Sequence, residues 1–202
     1  SIYNFTGAFN SSSNCFNGIA VDEEYVYTYD GKSLKKFDRT TETLADSIST
    51  GLSLVTHAGI ALDGCGGLYV GAFGEVLKYN TDLDLLSSIP MPDTVIDVRI
   101  ANDHIYACGI GFVKSVDLPK SLEANFLWEN QCLNEGALNF TDASTALTGD
   151  LASWEWNFGD GTGNSIAANP SYEYSSGGSF NVSLIVTNEY GCSDTIIQTV
   201  TV

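Results

Sequence analysis

The stretch Trp154-Glu155-Trp156-Asn157-Phe158-Gly159-Asp160-Gly161 decides the fold of this 202-residue chain. Large apolar rings alternate with polar residues, and a period of two is the signature of a β-strand with Trp154, Trp156 and Phe158 on one face. Three rings on one side need a second layer to cover them, so that side faces the core between two sheets. Gly159 and Gly161 permit the turn after the strand, and the Asp160 carboxylate can cap it. Further on, Phe180, Val182, Leu184 and Val186 repeat the in-and-out pattern, and the β-branched run 196–202 reads as a last strand.

The same residues carry a resemblance. The Trp154–Gly161 signature, then Asn169-Pro170-Ser171-Tyr172-Glu173-Tyr174, then the strand from Gly178 to Asn188, then Gly191-Cys192-Ser193-Asp194 match PKD domains in order and spacing. The match covers about residues 122–202, and Asn157 departs from it, since the family often has Asp there. It implies an Ig-like β-sandwich over 122–202. By resemblance to PKD domains that carry both cysteines, it also implies a Cys132–Cys192 disulfide. Closing a loop of about 60 residues contributes roughly 3–4 kcal/mol in the chain-entropy account. In an Ig-type sandwich the first and last hairpins lie at opposite ends, so the bridge requires Cys132 on the first strand, beside the last one.

Upstream, residues 1–119 repeat themselves. Gly18-Ile19-Ala20-Val21-Asp22, Tyr25-Val26-Tyr27 and Leu34-Lys35-Lys36-Phe37-Asp38 align with Gly59-Ile60-Ala61-Leu62-Asp63, Leu68-Tyr69-Val70 and Val76-Leu77-Lys78-Tyr79-Asn80. A looser third copy runs Asp97-Val98-Arg99-Ile100, His104-Ile105-Tyr106 and Phe112 to Asp117. Two independent landmarks, the Tyr27/Tyr69/Tyr106 series and the Asp38/Asn80/Asp117 series, both give spacings of 42 and 37 residues. Asp30-Gly31 and Asp63-Gly64 are hairpin signals, and a fourth strand is expected near Leu44 and near Leu83–Leu86. Four short strands per roughly 40 residues is the pattern of a propeller blade. The Gly-Ile-Ala-Val/Leu-Asp opening with its later Tyr-Val resembles propellers of the NHL-like and SMP-30-like kind. The expectation is an all-β chain: a partial β-propeller of about three four-stranded blades over 1–119, then the PKD-type sandwich over 122–202. A small open stack of sheets is the alternative. A closed propeller needs at least four blades, so upstream blades are expected, and Ser1 leading straight into Ile2-Tyr3-Asn4-Phe5 reads as a processed or cut end.

Composition narrows the function. Twenty-five acidic residues against eight basic give a net charge of -17, which repels phosphate backbones and anionic membranes. Nucleic acid is therefore excluded as a partner, and no apolar run reaches the length of a transmembrane helix. Cys15, Cys65, Cys108, Cys132 and Cys192 include no Cys-x-x-Cys pair, and His57 and His104 are the only histidines. That spacing offers no zinc site and favours disulfides in an oxidising, extracellular setting. Cys65–Cys108, between neighbouring repeats, is a second candidate bridge.

The remaining candidates for chemistry are weak. Asp160 stands without a partner acid, so turn capping outweighs catalysis or calcium binding. His57 and His104 each lack a nucleophile motif nearby. Asp22, Asp63 and Asn80 recur at strand ends, where hairpin capping outweighs a cation site. The Gly64–Gly67 and Gly109–Gly111 stretches open no helix and read as turns rather than phosphate loops. No catalytic residue and no cofactor is expected. Structural calcium is the one cofactor left open, and a chelator is expected to leave the melting temperature nearly unchanged.

Together, a propeller with Cys15-Phe16-Asn17-Gly18, Asp63-Gly64-Cys65-Gly66 and Tyr106-Ala107-Cys108-Gly109 ahead of a cysteine-bearing PKD domain resembles large surface proteins of Bacteroidota. These include the gliding-motility-associated group exported by the type IX secretion system. The sorting domain such proteins carry after their PKD domains has no counterpart here. The resemblance implies a non-enzymatic, secreted surface or adhesion module, with a propeller face binding another protein or a glycan and contacts to the rest of a longer polypeptide or to secretion machinery. An accessory region of a secreted polysaccharide- or protein-degrading enzyme is the alternative. A propeller hydrolase or lyase would need clustered metal-ligating acids, which the repeats do not show. The resemblance also implies O-glycosylation at Asp-Ser/Thr-apolar triplets, of which there are three, at Ser47, Thr94 and Thr195.

Overall fold

Turn-forming residues every few positions cut this chain into strands. The computed structural model describes residues 16–51, 57–129 and 136–202, and every regular element among them is a β-strand. Two compact units result, 1–119 and 120–202.

In the first unit, β1 (Phe16–Val21), β2 (Tyr25–Tyr29), β3 (Ser33–Asp38) and β4 (Leu44–Ser49) form an antiparallel meander. Each of its turns is fastened by an aspartate. Asp22 accepts the amides of Glu24 and Tyr25, Asp30 those of Lys32 and Ser33, and Asp38 those of Thr40 and Thr41. These are Asx-type turns, in which a short carboxylate substitutes for a backbone acceptor. The second meander holds β6 (Ile60–Leu62), β7 (Leu68–Gly71), β8 (Glu75–Tyr79) and β9 (Leu85–Pro90), preceded by β5 (His57–Ala58). The expected fourth strands are both present. The second starts at Leu85 rather than Leu83, because Leu83 sits at φ 65° in the Asn80 turn.

The third sheet departs from expectation. It has three strands, β10 (Val95–Ala101), β11 (His104–Gly109) and β12 (Phe112–Asp117), and no fourth among the described residues. After Asp117 the chain reads Leu118-Pro119, and proline cannot donate to a ladder.

The first strands of successive sheets lie side by side. β5 pairs in parallel with β1, through Phe16 with His57 and Asn17 with Ala58, and the Gly59 amide donates to Ile96 O at 2.9 Å. Gly59 is required there: a Cβ would run into the Asp97 carboxylate and the Val98 amide. Two apolar cores separate the three sheets. One gathers Tyr27, Tyr29 and Leu34 of the first sheet with Ile60, Leu68 and Val70 of the second. The other gathers Tyr69 and Val76 of the second with Val98, Ile105 and Ala107 of the third.

In the second unit, β13 (Leu122–Glu123) and β16 (Thr145–Ala146) pair at one edge. β14 (Phe126–Trp128), β15 (Leu138–Asp142) and β19 (Ser171–Tyr172) form one sheet. β18 (Asn164–Ser165), β17 (Leu151–Asn157), β20 (Ser179–Asn188) and β21 (Ser193–Thr201) form the other, in that spatial order. Their facing sides make one core. Trp156, Phe158, Val182, Leu184, Val186 and Val200 meet Phe126, Leu138 and Phe140. The Trp156 ring stands edge-on to Phe126 with centroids 5.1 Å apart, a favoured aromatic geometry. Buried polar tips are satisfied: Trp156 Nε1 donates to Ala167 O and the Tyr174 hydroxyl to Phe158 O.

Candidate interaction surface

Each candidate residue is placed by a strand end or a strand face. The Trp154–Gly161 motif is β17 and the turn after it. Trp156 and Phe158 are buried, while Trp154 is half-buried with its Nε1 donating to Asp142. Gly159, at φ 80°, passes so close to Asn181 that a Cβ would lie 2.5 Å from its carbonyl oxygen, and Gly161 takes φ 87°. Asp160 caps the turn. One carboxylate oxygen accepts the Thr162 and Gly163 amides and the other accepts the Tyr172 hydroxyl. The Tyr172 bond, together with the two amides, holds the Asp160 carboxyl below the ordinary carboxylate range.

The aspartates of the N-terminal repeats do more than cap. Asp22 also accepts the Tyr27 hydroxyl at 2.9 Å. Asp63 accepts the Cys65 and Gly67 amides, the Tyr69 hydroxyl at 3.3 Å, and the Lys78 ammonium at 3.8 Å. The Lys78 and Asp63 side chains are only 0% and 1% exposed. Burial lowers the Lys78 pKa and Asp63 opposes that shift; burial and then the Asp63 charge raise that of Tyr69. In the first repeat, Lys36 instead lies over the Tyr25 ring at 4.0 Å and 3.8 Å from Asp82. The register pairs Tyr27 with Lys36 and Tyr69 with Lys78, so the two repeats carry the same tyrosine–lysine pair. Among the described residues no three His, Cys, Asp or Glu side chains group as metal ligands.

The cysteines require a correction. Cys108 is a free, half-buried thiol and Cys65 is in a disulfide, so a Cys65–Cys108 bridge does not form. Cys108 lies on β11 beside Val113, on a face that turns away from the second sheet. Cys192 is also disulfide-bonded; Cys132, like Cys15, lies outside the described residues. His104 Nε2 lies 3.3 Å from Asp117 and its Nδ1 faces Asn102 O, and His57 opens β5. Ser47 and Thr195 are exposed and Thr94 is half-buried. In two of these triplets the aspartate accepts the next amide, Asp46 from Ser47 and Asp93 from Thr94. Asp194 accepts the Ala124 amide and a bond from Lys120, and although burial raises its pKa, these partners bring it below the ordinary value.

Sequence reasoning missed the outer face of the four-stranded C-terminal sheet. Residues paired across strands share a face. The register puts Ser153, Thr187 and Ser193 in one row, Glu155, Ile185 and Thr195 in the next, then Asn157, Ser183 and Ile197, then Asn181 and Thr199, and Ser179 with Thr201. All are exposed or half-exposed. Between residues 120 and 202 there are ten carboxylates and one lysine, yet Glu155 is the only charged residue in these rows. Beside Glu155, a cleft of about 450 Å³ is lined by Trp156, Asn164, Ser165 and Ile166. A hydroxyl- and amide-rich plane with one carboxylate can hydrogen-bond a neutral polar surface at little desolvation cost from burying charge.

Known proteins resemble this chain over different spans. The PKD1 domain of Vibrio anguillarum Epp is 31% identical over 41% of this chain and 94% of its own length, with a TM-score of 0.38. The PKD1 domain of the Vibrio cholerae metalloprotease PrtV is 34% identical over 39% of this chain and 93% of its own, with a TM-score of 0.36. The extracellular domain of BT4673 from B. thetaiotaomicron is 13% identical over 92% of this chain and 35% of its own, with a TM-score of 0.40. No curated protein matches the chain. The PKD domain profile matches residues 123–202, the same span that carries the Trp154–Gly161 strand and turn, and through this unit the chain belongs to the PKD domain family.

Proposed function

We propose that this chain is a non-catalytic adhesion module of an outer cell surface, and that its C-terminal unit attaches to neutral polysaccharide through the outer face of β17, β20 and β21. PKD domains are typically non-catalytic modules of extracellular proteins, and disulfides at Cys65 and Cys192 suit that setting. No helix among the described residues is long and apolar enough to cross a membrane. The observation that carries the reading is a sheet face with a single carboxylate, Glu155, on a strongly acidic unit. In the same proposal the N-terminal sheets are blades of a partial β-propeller, supported by the side-by-side first strands and the series of shared cores. The module is part of a longer Bacteroidota surface protein, exported by the type IX system, linked to gliding motility and O-glycosylated at Ser47, Thr94 and Thr195.

Retention of the unmodified chain on insoluble neutral polysaccharides, set against an anionic one, tests the surface. We expect retention on a neutral matrix, and loss of at least about tenfold in affinity for Ile197→Lys combined with Thr199→Lys, two exposed changes that alter stability by less than about 0.5 kcal/mol. No retention on any neutral matrix, or equal binding by the variant, rejects the reading.

A further inference from the structure

The three N-terminal sheets can be compared position by position, because their cross-strand pairs repeat. Tyr27 pairs with Lys36, Tyr69 with Lys78 and Tyr106 with Ser115. Two residues along, Tyr29 pairs with Leu34, Gly71 with Val76 and Cys108 with Val113. The first two sheets bury this face completely: Tyr27, Leu34, Tyr69 and Val76 are all 0% exposed. In the third sheet Tyr106 is 40% exposed and Val113 81% exposed. Tyr106, Cys108 and Val113 keep aromatic or apolar character at these positions while the cover is gone, although Arg99 pairs with Tyr106 and Asp97 with Cys108 where Ala20 and Ala61 pair with the earlier tyrosines.

The two occupied examples show what covers this face elsewhere. Over Tyr27 and Leu34 lie Ile60, Leu68 and Val70 of the second sheet; over Tyr69 and Val76 lie Val98, Ile105 and Ala107 of the third. These covers match each other by register, Ile60 with Val70 and Val98 with Ala107. The cover is thus the opposite face of another sheet of the same repeat, with an apolar residue on its first strand and two on its second. A fourth strand adds to it: Ile48 pairs with Leu34 and Ile89 with Val76, and Val113 has no such neighbour among the described residues.

We infer that the face carrying Tyr106, Cys108 and Val113 is the seat of a further sheet of this same repeat, supplied by the same polypeptide. The inference rests on the propeller reading and names its mating surface. Tyr106, Cys108 and the exposed Val113 form a strip bordered by the Arg99–Asp97 ion pair, on a sheet whose last strand has no further partner among the described residues, and the repeat supplies a sheet face that covers the matching positions elsewhere.

Cys108 reports on the seat, since its thiol is free and lies in the stripe. The experiment compares the rate at which a bulky maleimide labels Cys108 in this chain and in the full polypeptide isolated from its source, disulfides intact. The expected result is labelling at least about tenfold slower in the full polypeptide, the behaviour of a site that reacts only on local opening. Equal rates overturn the seat and leave the propeller reading standing. Slowing in the isolated chain as its concentration rises, with doubling of its mass, assigns the cover to a second copy and overturns the same-polypeptide source. A photo-crosslinker placed on Cys108 in the full polypeptide identifies the cover. Capture of a peptide from a strand of a further copy of the repeat, with apolar residues where Ile60 and Val98 stand, supports the inference, and capture of a peptide outside the repeat overturns the occupant. In parallel, Val113→Asp is expected to leave the isolated chain within about 0.5 kcal/mol of its stability, as a surface change does, and to destabilise the full polypeptide; equal effects in both count against a covered face.

Discussion

The two units use the same strand grammar and finish their cores differently. In 120–202 the inward faces of two sheets meet each other, so one cluster holds the buried apolar side chains, from Leu122 to Val200. In 1–119 the apolar residues are divided between two separate clusters, each shared by neighbouring sheets. A sandwich of this kind closes on itself, whereas a series of sheets has ends. The difference explains why the exposed large apolar residues differ in kind. In the N-terminal unit they include Val113, whose counterparts Leu34 and Val76 are buried. In the C-terminal unit Ile197 stands among hydroxyls on a solvent-facing sheet. It also predicts where damage spreads, since a truncation in the closed core is felt by the whole unit and one in the series by a single interface.

The largest effect should come from the closed core. Trp156→Ala removes a ring that touches Phe126, Phe140 and Phe158 and the donor to Ala167 O. A loss of about 3–5 kcal/mol is expected, seen in denaturant unfolding monitored through the C-terminal tryptophans Trp128 and Trp154. A loss under about 1 kcal/mol, the range of ordinary surface changes, would mean that the core is not the closed unit described. Next in size is the Cys192 disulfide. Its proposed partner is Cys132, and Cys192→Ser is expected to cost about 3–4 kcal/mol if the closed loop spans some 60 residues. Non-reducing peptide maps identify the partner directly, and a Cys192 peptide joined to any cysteine other than Cys132 rejects that pairing.

How much of this was legible in the sequence depended on periodicity. The Trp154–Gly161 stretch needed only a period of two and turn chemistry, and both are local, so the strand, the inward Trp156 and Phe158, and the Asp160 turn could all be read directly. The 42- and 37-residue spacings likewise exposed the N-terminal repeat. Three features could not be read. Among the described residues the third sheet has no fourth strand, since the chain passes to Pro119, and a repeat count credits each copy with the same strands whatever residues come after it. Asp63 looked like one more hairpin cap, since nothing local shows that Lys78, on a different strand, arrives beside it in a buried site. The charge-poor outer face of the C-terminal sheet is assembled from three strands, so no single segment displays it. The Cys65–Cys108 pairing failed for a similar reason: neighbouring repeats in sequence do not place Cys65 and Cys108 together.

The buried Asp63–Lys78 pair sharpens the comparison inside the N-terminal unit, because Asp22 is its counterpart one repeat earlier. Both cap a hairpin and both take a tyrosine hydroxyl, but Asp63 also neutralises a fully buried lysine. Asp63→Ala leaves that ammonium in an apolar site and is expected to cost about 3 kcal/mol. Asp22→Ala removes a cap and one side-chain bond and is expected to cost about 1 kcal/mol. Thermal or chemical denaturation of the two variants measures the difference directly. Equal losses would show that Lys78 is not held by Asp63, and Lys78→Met, which fills similar volume without charge, should be milder than Asp63→Ala.

The smallest effect expected is an acid limb specific to the C-terminal unit. Asp160 and Asp194 both have carboxyls held below the ordinary value of 3.8 in the folded chain. Asp160 owes this first to the Tyr172 hydroxyl, and Asp194 to the Ala124 amide and Lys120, which outweigh its partial burial. A carboxyl whose folded pKa is depressed binds its proton more readily when the chain is unfolded. Its contribution is therefore complete above the unfolded pKa and falls away as pH drops from about 4 toward the folded value. Stability of the C-terminal unit should then be flat on this account from pH 7 to about 5 and decline below about 4, with the steepest part at the lowest pH. Asp160→Asn removes one titrating group while keeping a turn-capping oxygen, so it should flatten the acid limb while changing stability little near neutrality. Tyr172→Phe removes the leading cause of the depressed pKa, so it should shrink the Asp160 contribution and raise the pH at which that contribution is fully lost, while the onset near the unfolded pKa stays in place. Parallel acid limbs for the parent and Asp160→Asn would show that this carboxylate is solvated like any surface acid and that the turn is held by Gly159 and Gly161 alone.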